Sequence, residues 1–153
     1  METTRHFTAT VYIVEGDATL LHEHERLGRW LPPGGHVGRD ELPRETARRE
    51  VREETGLDVT LREPDTGVEG PATRELPGPE HLLLHDIHDY DDGTVGHQHV
   101  DFVYFGRAAD RELDPAEGER DPRHWAWFTA DDLRAGDLGA EVVDLGVSAI
   151  DAF

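Results

Sequence analysis

Glu50, Glu53 and Glu54 are the residues whose types and spacing first suggest chemistry. They lie in GGHVGRDELPRETARREVREETGL, Gly34 to Leu57, where six carboxylates and five arginines crowd the positions from Arg39 to Glu54. A helix turns by about 100° per residue, so Glu54 falls roughly 40° from Glu50 and Glu53 roughly 60° to its other side. Like charges at these spacings cost about 0.2–0.5 kcal/mol per pair in an isolated helix. Glu54 also stands near the C-terminal end, where the helix dipole disfavours an anion. Glu45 has Arg49 four residues on, whereas Glu50 has Glu54. A divalent cation would reverse these penalties, because oxygen ligands at about 2.0–2.6 Å suit Mg²⁺ or Mn²⁺. On spacing alone, a solvated helix surface in a very acidic protein is an equal alternative.

Other candidates are less specific. Five of the ten histidines fall between His81 and His99. In a strand, His97-x-His99-x-Asp101 would put three side chains on one face, towards phosphates or a second metal. The plain alternative is a His-rich loop and strand end. Trp30, Tyr104, Trp125 and Trp127 could stack on a base, but a chain of this size needs aromatics in its core, and core is the simpler reading for each.

The elements that must position these groups follow from pattern. Thr8–Gly16 and Ala18–Glu25 read as two strands with a hairpin turn at Gly16-Asp17. Pro32-Pro33-Gly34-Gly35 excludes helix and central strand. Asp40 is the expected N-cap of a helix with Pro43 in its first turn, running to about Thr55 with Gly56 left-handed beyond it. Its buried side is thin, with only Leu42, Ala47 and Val51 apolar. Leu57–Leu61, His81–His88, His99–Arg107 and His124–Phe128 read as strands, with loops at 63–79 and 109–122. Thr129 caps a short helix, and Leu138–Phe153 reads as a packed terminal helix despite Gly146.

Composition narrows the class. At 153 residues with 36% hydrophobic residues, one folded domain over 1–153 is expected. No apolar run is long enough to cross a bilayer, and the N-terminus lacks the pattern of a signal peptide. The absence of cysteine rules out disulfides and thiolate chemistry and fits a cytoplasmic protein. Acidic residues number 34 against 15 basic ones, all arginine, giving a net charge of −19. Such a surface repels phosphate backbones, so nucleic acid is not the expected partner. It suits a salt-rich cytoplasm that screens the self-repulsion, although a GC-rich genome alone would also remove lysine.

The helix stretch resembles the Nudix box. From Gly35, five residues lead to Glu41 and seven to Arg49, followed by Glu50, Val51, Arg52, Glu53, Glu54, Thr55, Gly56 and Leu57. Every specified position of the pattern is met across these 23 residues, 35 to 57. The Trp-Leu-Pro-Pro-Gly-Gly entry and a late Trp-Phe strand followed by Asp-Asp-Leu extend the likeness. The resemblance implies an α/β (α+β) fold, a mixed β-sheet sandwiched between helices. It also implies a Mg²⁺- or Mn²⁺-dependent hydrolase of a nucleoside diphosphate linked to another group. Glu50, Glu53, Glu54 and the Gly35 carbonyl would bind metal, Arg49 would orient a glutamate, and Glu41 would stabilise the loop. Glu50 or Glu53 would be the base, or a later loop would supply it through Glu117 or Glu119, whose plain reading is a solvated acidic loop. Trp30, His99, Asp101 and Tyr104 are the expected substrate contacts. The partner is a small nucleotide, and a homodimer is compatible with the family.

Overall fold

Alternate residues of Thr4–Glu15, strand β1, sort onto two faces and organise the sheet. Ala9, Val11 and Ile13 are fully buried on one side, Tyr12 and Val14 on the other. The structure, a computed structural model, describes residues 2–25 and 28–153. At Gly16, with φ 61°, the chain turns into β2, Ala18–Glu23, pairing Val14 with Thr19 and Glu15 with Ala18. This is the expected two-residue hairpin. Strand β3, Trp30–Leu31, runs beside β2, and β4, Gly34–His36, runs antiparallel to Thr8–Thr10 of β1. The Pro-Gly segment thus contributes only a three-residue strand. Gly34 lies so close to β1 that a Cβ there would sit 2.4 Å from the Ala9 carbonyl oxygen.

Helix α1, Pro43–Thr55, follows, and β5, Val59–Leu61, returns to the sheet. The segment expected to be an irregular loop holds a small hairpin, β6 (Glu69–Gly70) with β7 (Thr73–Arg74). Strands β8, His81–Asp89, and β9, Val95–Ala108, pair antiparallel. Strand β9 begins before the expected His99 because parallel pairing with β1 starts at Thr4 opposite His97 and continues to Val14 opposite Arg107. Strand β10, Trp125–Thr129, joins β2, and helices α2, Ala130–Ala135, and α3, Ala140–Asp151, finish the chain. Thr129 caps α2 as expected, accepting the Asp132 N–H at 3.2 Å.

The main sheet runs β10-β2-β1-β9-β5, with β8, β3 and β4 attached to β9, β2 and β1. Ala47 and Val51 of α1 pack on Ala9, Val11 and Ile13. Leu133 of α2 and Val142, Leu145 and Ala149 of α3 pack on Tyr12, Val14 and Phe105. A fully buried valine or leucine contributes about 1.5–3 kcal/mol, so both faces draw stability from the sheet's alternation. Gly146 fits within α3 because a Cβ there would meet Leu133 Cδ1 at 2.8 Å. The helices therefore sandwich a mixed sheet. No helix among the described residues is long and apolar enough to cross a membrane.

Candidate functional site

The box helix is fixed at both ends by contacts that reach beyond it. Its N-cap is Leu42, not the expected Asp40. Leucine offers no acceptor for the first-turn N–H groups, and Glu45 supplies the reciprocal half of a capping box, its carboxylate accepting the Leu42 N–H at 2.8 Å. At the other end Gly56 takes φ 77°, as its position predicts, and donates its N–H to the Arg52 carbonyl. The 109–122 loop covers two of the remaining carbonyls: Thr55 accepts from Asp114 N–H at 2.9 Å and Glu53 from Ala116 N–H at 2.8 Å. Leu42 is 39% exposed, so the expected apolar triad shrinks to Ala47 and Val51. Arg44, Thr46 and Thr55 fill the rest of the buried side. Arg44 is held by the Arg62 carbonyl, by Glu63, and by the Tyr104 ring 5.6 Å from its guanidinium.

Arg49 organises the carboxylates. It pairs with Glu41 through two hydrogen bonds, Nε to Oε2 at 2.8 Å and Nη2 to Oε1 at 2.9 Å. Its Nη1 donates to Glu50 at 3.0 Å and to Glu53 at 3.1 Å. The i,i+4 pairing with Glu45 suggested by spacing does not form, because Glu45 is engaged at the cap and Arg49 turns towards Glu41. Glu41 also accepts the Gly38 N–H and the Thr46 hydroxyl. The Arg49 hydrogen bond holds the Glu41 carboxyl below the usual carboxylate range. Glu41 thereby ties the glycine loop to the helix.

Glu50 and Glu54 form the tightest part of the cluster. A Cβ on Gly35 would lie 2.4 Å from Glu50 Oε1, so the glycine lets the carboxylate sit against the β4 backbone where it now stands. Glu54 Oε1 accepts the Gly34 N–H at 3.1 Å. Burial, followed by the charge of Glu50, pushes the Glu54 carboxyl well above the usual range, and Glu119 adds to the effect. Glu50 and Glu54 are a half-buried carboxylate pair with Glu53 on the same helix face. As placed, oxygens of all three do not lie within 4.8 Å of one another, and a hard divalent cation, which oxygen donors suit, would have to draw them together. Gly34 and Gly35 set the backbone of β4 against Glu54 and Glu50. The loop that caps α1 thus brings the charge of Glu119 to bear on the cluster, and Glu117 and Glu119 are both exposed.

The expected substrate contacts separate. Tyr104, 3% exposed, points to the α1 face and packs in the core against Arg44. Alternation along β9 puts it opposite to His99 and Asp101. Asp101, 4% exposed, accepts from Thr8, from Thr10 and from His85 Nε2, so its carboxylate is occupied within the sheet. Asp101 and Tyr104 therefore do not offer themselves to a ligand, which corrects the expectation for both. Trp30 is half-buried with its ring edge-on to Phe128, 5.2 Å between centroids. His99 stands among other histidines, with His6 opposite it in the parallel ladder and His85 opposite it on β8. His85 was legible only as one of the clustered histidines, and His6, His36, Thr8 and Thr10 were not read as part of this face. For His6, Thr8 and Thr10 the signal was the polar alternation His6-x-Thr8-x-Thr10 that precedes Tyr12 and Val14 on the same side of β1.

The NUDIX domain family matches the chain over residues 4–144. Among solved structures, a NUDIX-family hydrolase from Clostridium perfringens is 32% identical with a TM-score of 0.81, the match covering 97% of this chain and 98% of that one. A MutT NUDIX hydrolase from Burkholderia pseudomallei, at 21% identity and TM-score 0.60 over 97% of each chain, shares the fold. So does a NUDIX hydrolase from Nitrosomonas europaea, at 21% identity and TM-score 0.59 over 97% of this chain and 90% of that one. Comparison with curated protein sequences gives no match. With a complete box and a family match spanning most of its length, the chain belongs to the Nudix family of hydrolases, enzymes that act on nucleoside diphosphate derivatives.

Proposed function

We propose that the protein is a Mg²⁺- or Mn²⁺-dependent pyrophosphohydrolase that acts as one catalytic unit over residues 1–153. Its substrate is a small nucleotide of the ADP-ribose, dinucleoside polyphosphate or nucleoside triphosphate class. The observation that carries this reading is the convergence of Glu50 and Glu54 on the glycines of β4, with Glu54 driven towards its neutral form by burial and by Glu50. A protein without a cation to place there gains nothing from that repulsion.

Glu50, Glu53, Glu54 and the Gly35 carbonyl would hold the metal. When bound, a divalent cation neutralises the pyrophosphate, polarises the phosphorus under attack and lowers the pKa of a coordinated water. Arg49 fixes the orientation of Glu50 and Glu53 through its shared Nη1, while its fork on Glu41 fixes Arg49 itself. Water delivers its oxygen to phosphorus, and the bridging P–O bond breaks to leave two phosphate products. Glu50 or Glu53 takes the water's proton. Glu117 or Glu119 of the 109–122 loop is the alternative for that step. The net charge of −19 favours a small nucleotide held through a cation over a polymeric phosphate backbone.

The test is incubation of the purified protein with Mg²⁺ or Mn²⁺, in low and in molar salt, against ADP-ribose, diadenosine polyphosphates, NADH, sugar nucleotides and nucleoside triphosphates. Chromatography of the products should show metal-dependent cleavage of one class. Silence across the panel in both salts, with metal demonstrably bound, would point to a binding domain instead.

A further inference from the structure

Four histidines converge at one end of the sheet, on the face opposite to α1, and the hydrolase reading uses none of them as a group. His6 comes from β1, His36 from β4, and His97 and His99 from β9. The ladders bring them together: His6 is level with His99, and His36 is level with Thr8, one same-face position further along β1. Ring centroids lie 5.4 Å apart for His6 and His36, 4.9 Å for His36 and His99, and 4.6 Å for His6 and His97. One ring nitrogen from each of His6, His36 and His99 lies within 4.8 Å of the other two.

The donor set decides the kind of ligand. His97 is engaged outside the triad, its Nδ1 at 2.8 Å from Thr4 Oγ1. The side-chain hydrogen bonds of the described residues give His6, His36 and His99 no acceptor, and the nearby carboxylate of Asp101 is occupied by Thr8, Thr10 and His85. A carboxylate paired to each ring would mark a proton relay or an ion-pair network, and none is present in the triad. Three imidazoles with no oxygen ligand suit zinc, cobalt, nickel or copper rather than magnesium. A tetrahedral cation with Zn–N bonds of about 2.0–2.1 Å holds its ligands roughly 3.4 Å apart. His6 and His36 are exposed, so their rings have room to turn towards the closer spacing a bound ion requires.

We propose that His6, His36 and His99 form a second metal site, separate from the box glutamates, that takes a divalent transition cation of the zinc class and leaves a coordination position open to water. The site ties β4 to β1 and β9. Strand β4 also carries Gly34 and Gly35, which touch Glu54 and Glu50, so the cation secures the strand against which the box glutamates pack. The inference stands on the histidines alone and does not require the hydrolase reading to hold.

The experiment is calorimetric titration of chelator-stripped protein with Zn²⁺ in an excess of Mg²⁺. One equivalent should bind and not be displaced by Mg²⁺. It should persist when Glu50, Glu53 and Glu54 are together replaced by Gln. His6→Gln and His36→Gln, both exposed positions, should each weaken it by no less than the roughly 10-fold to 100-fold that loss of an outer hydrogen-bond partner costs a metal site. Zinc binding unchanged in both histidine variants, or abolished by the glutamate replacements, overturns the proposal. X-ray absorption at the zinc edge of the unmodified protein gives an answer that depends on no variant. Three imidazoles around the ion support the site, and an oxygen-only shell overturns it.

Discussion

Arg49 is the side chain on which the box carboxylates depend, since one guanidinium serves Glu41, Glu50 and Glu53. A lysine keeps the charge but loses the planar fork, and cannot hold Glu41 bidentately while reaching Glu50. Arg49→Lys should therefore lower kcat by about 10–100-fold, the range for removing an orienting partner from a metal ligand, with an unchanged fold by circular dichroism. An unchanged kcat would show that Arg49 is only a surface ion-pair residue. His22 supplies a different prediction. It packs on Trp125, 4.7 Å between ring centroids, and burial lowers its pKa to about 4. The folded protein resists the proton, so the contribution of His22 is complete above the unfolded pKa of about 6.5 and is lost as pH falls from there towards about 4. Urea melts of the unmodified protein and His22→Gln across that window should show the unmodified protein losing more stability. Parallel losses would refute the assignment.

At the scale of elements, α1 is held by its surroundings more than by its own apolar stripe. The Gly56 turn is the clearest case: φ is 77°, and a Cβ would lie 2.2 Å from the Asp114 carbonyl oxygen. Gly56→Ala should cost about 1–3 kcal/mol in denaturant unfolding, because left-handed strain and a backbone clash fall on the same residue. A loss below a few tenths would mean that the loop moves aside freely. This helix was legible in the sequence because the spacing of its glutamates and its terminal glycine are local properties. Its start was less so, since Leu42 gives no capping side chain and Glu45, which accepts the Leu42 N–H, stands at a position that reads equally well as a partner for Arg49. The histidine face was only partly legible. His97, His99 and Asp101 share a strand and their common face follows from period two, but His6 joins them through a parallel ladder spanning more than half the chain. Tyr104 was misplaced as a substrate contact because alternation gives two faces without saying which one a helix covers.

For the whole molecule, charge is the dominant physical fact. Acidic residues outnumber basic ones 34 to 15, and every basic one is arginine. Repulsion between exposed charges falls off over about 8–10 Å at 0.1–0.15 M salt and over about 3 Å at 1 M, so the melting temperature should rise between low and molar KCl. A flat or falling curve would remove the salt-rich cytoplasm as the explanation. The sandwich of α1 on one face and α2 with α3 on the other leaves one end of the sheet polar, with the glutamates and the histidines on opposite sides of β4. The central claim concerns the glutamates, and the rate of metal-dependent hydrolysis by the unmodified protein, Glu53→Gln and Glu54→Gln tests it most directly. Both variants should lose hydrolysis across the Mg²⁺ titration with little loss of stability without metal, since glutamine is isosteric and keeps an oxygen that can accept from the Gly34 N–H at position 54 and from Arg49 at position 53. Retained hydrolysis in either folded variant would contradict the assignment of these carboxylates as the metal site.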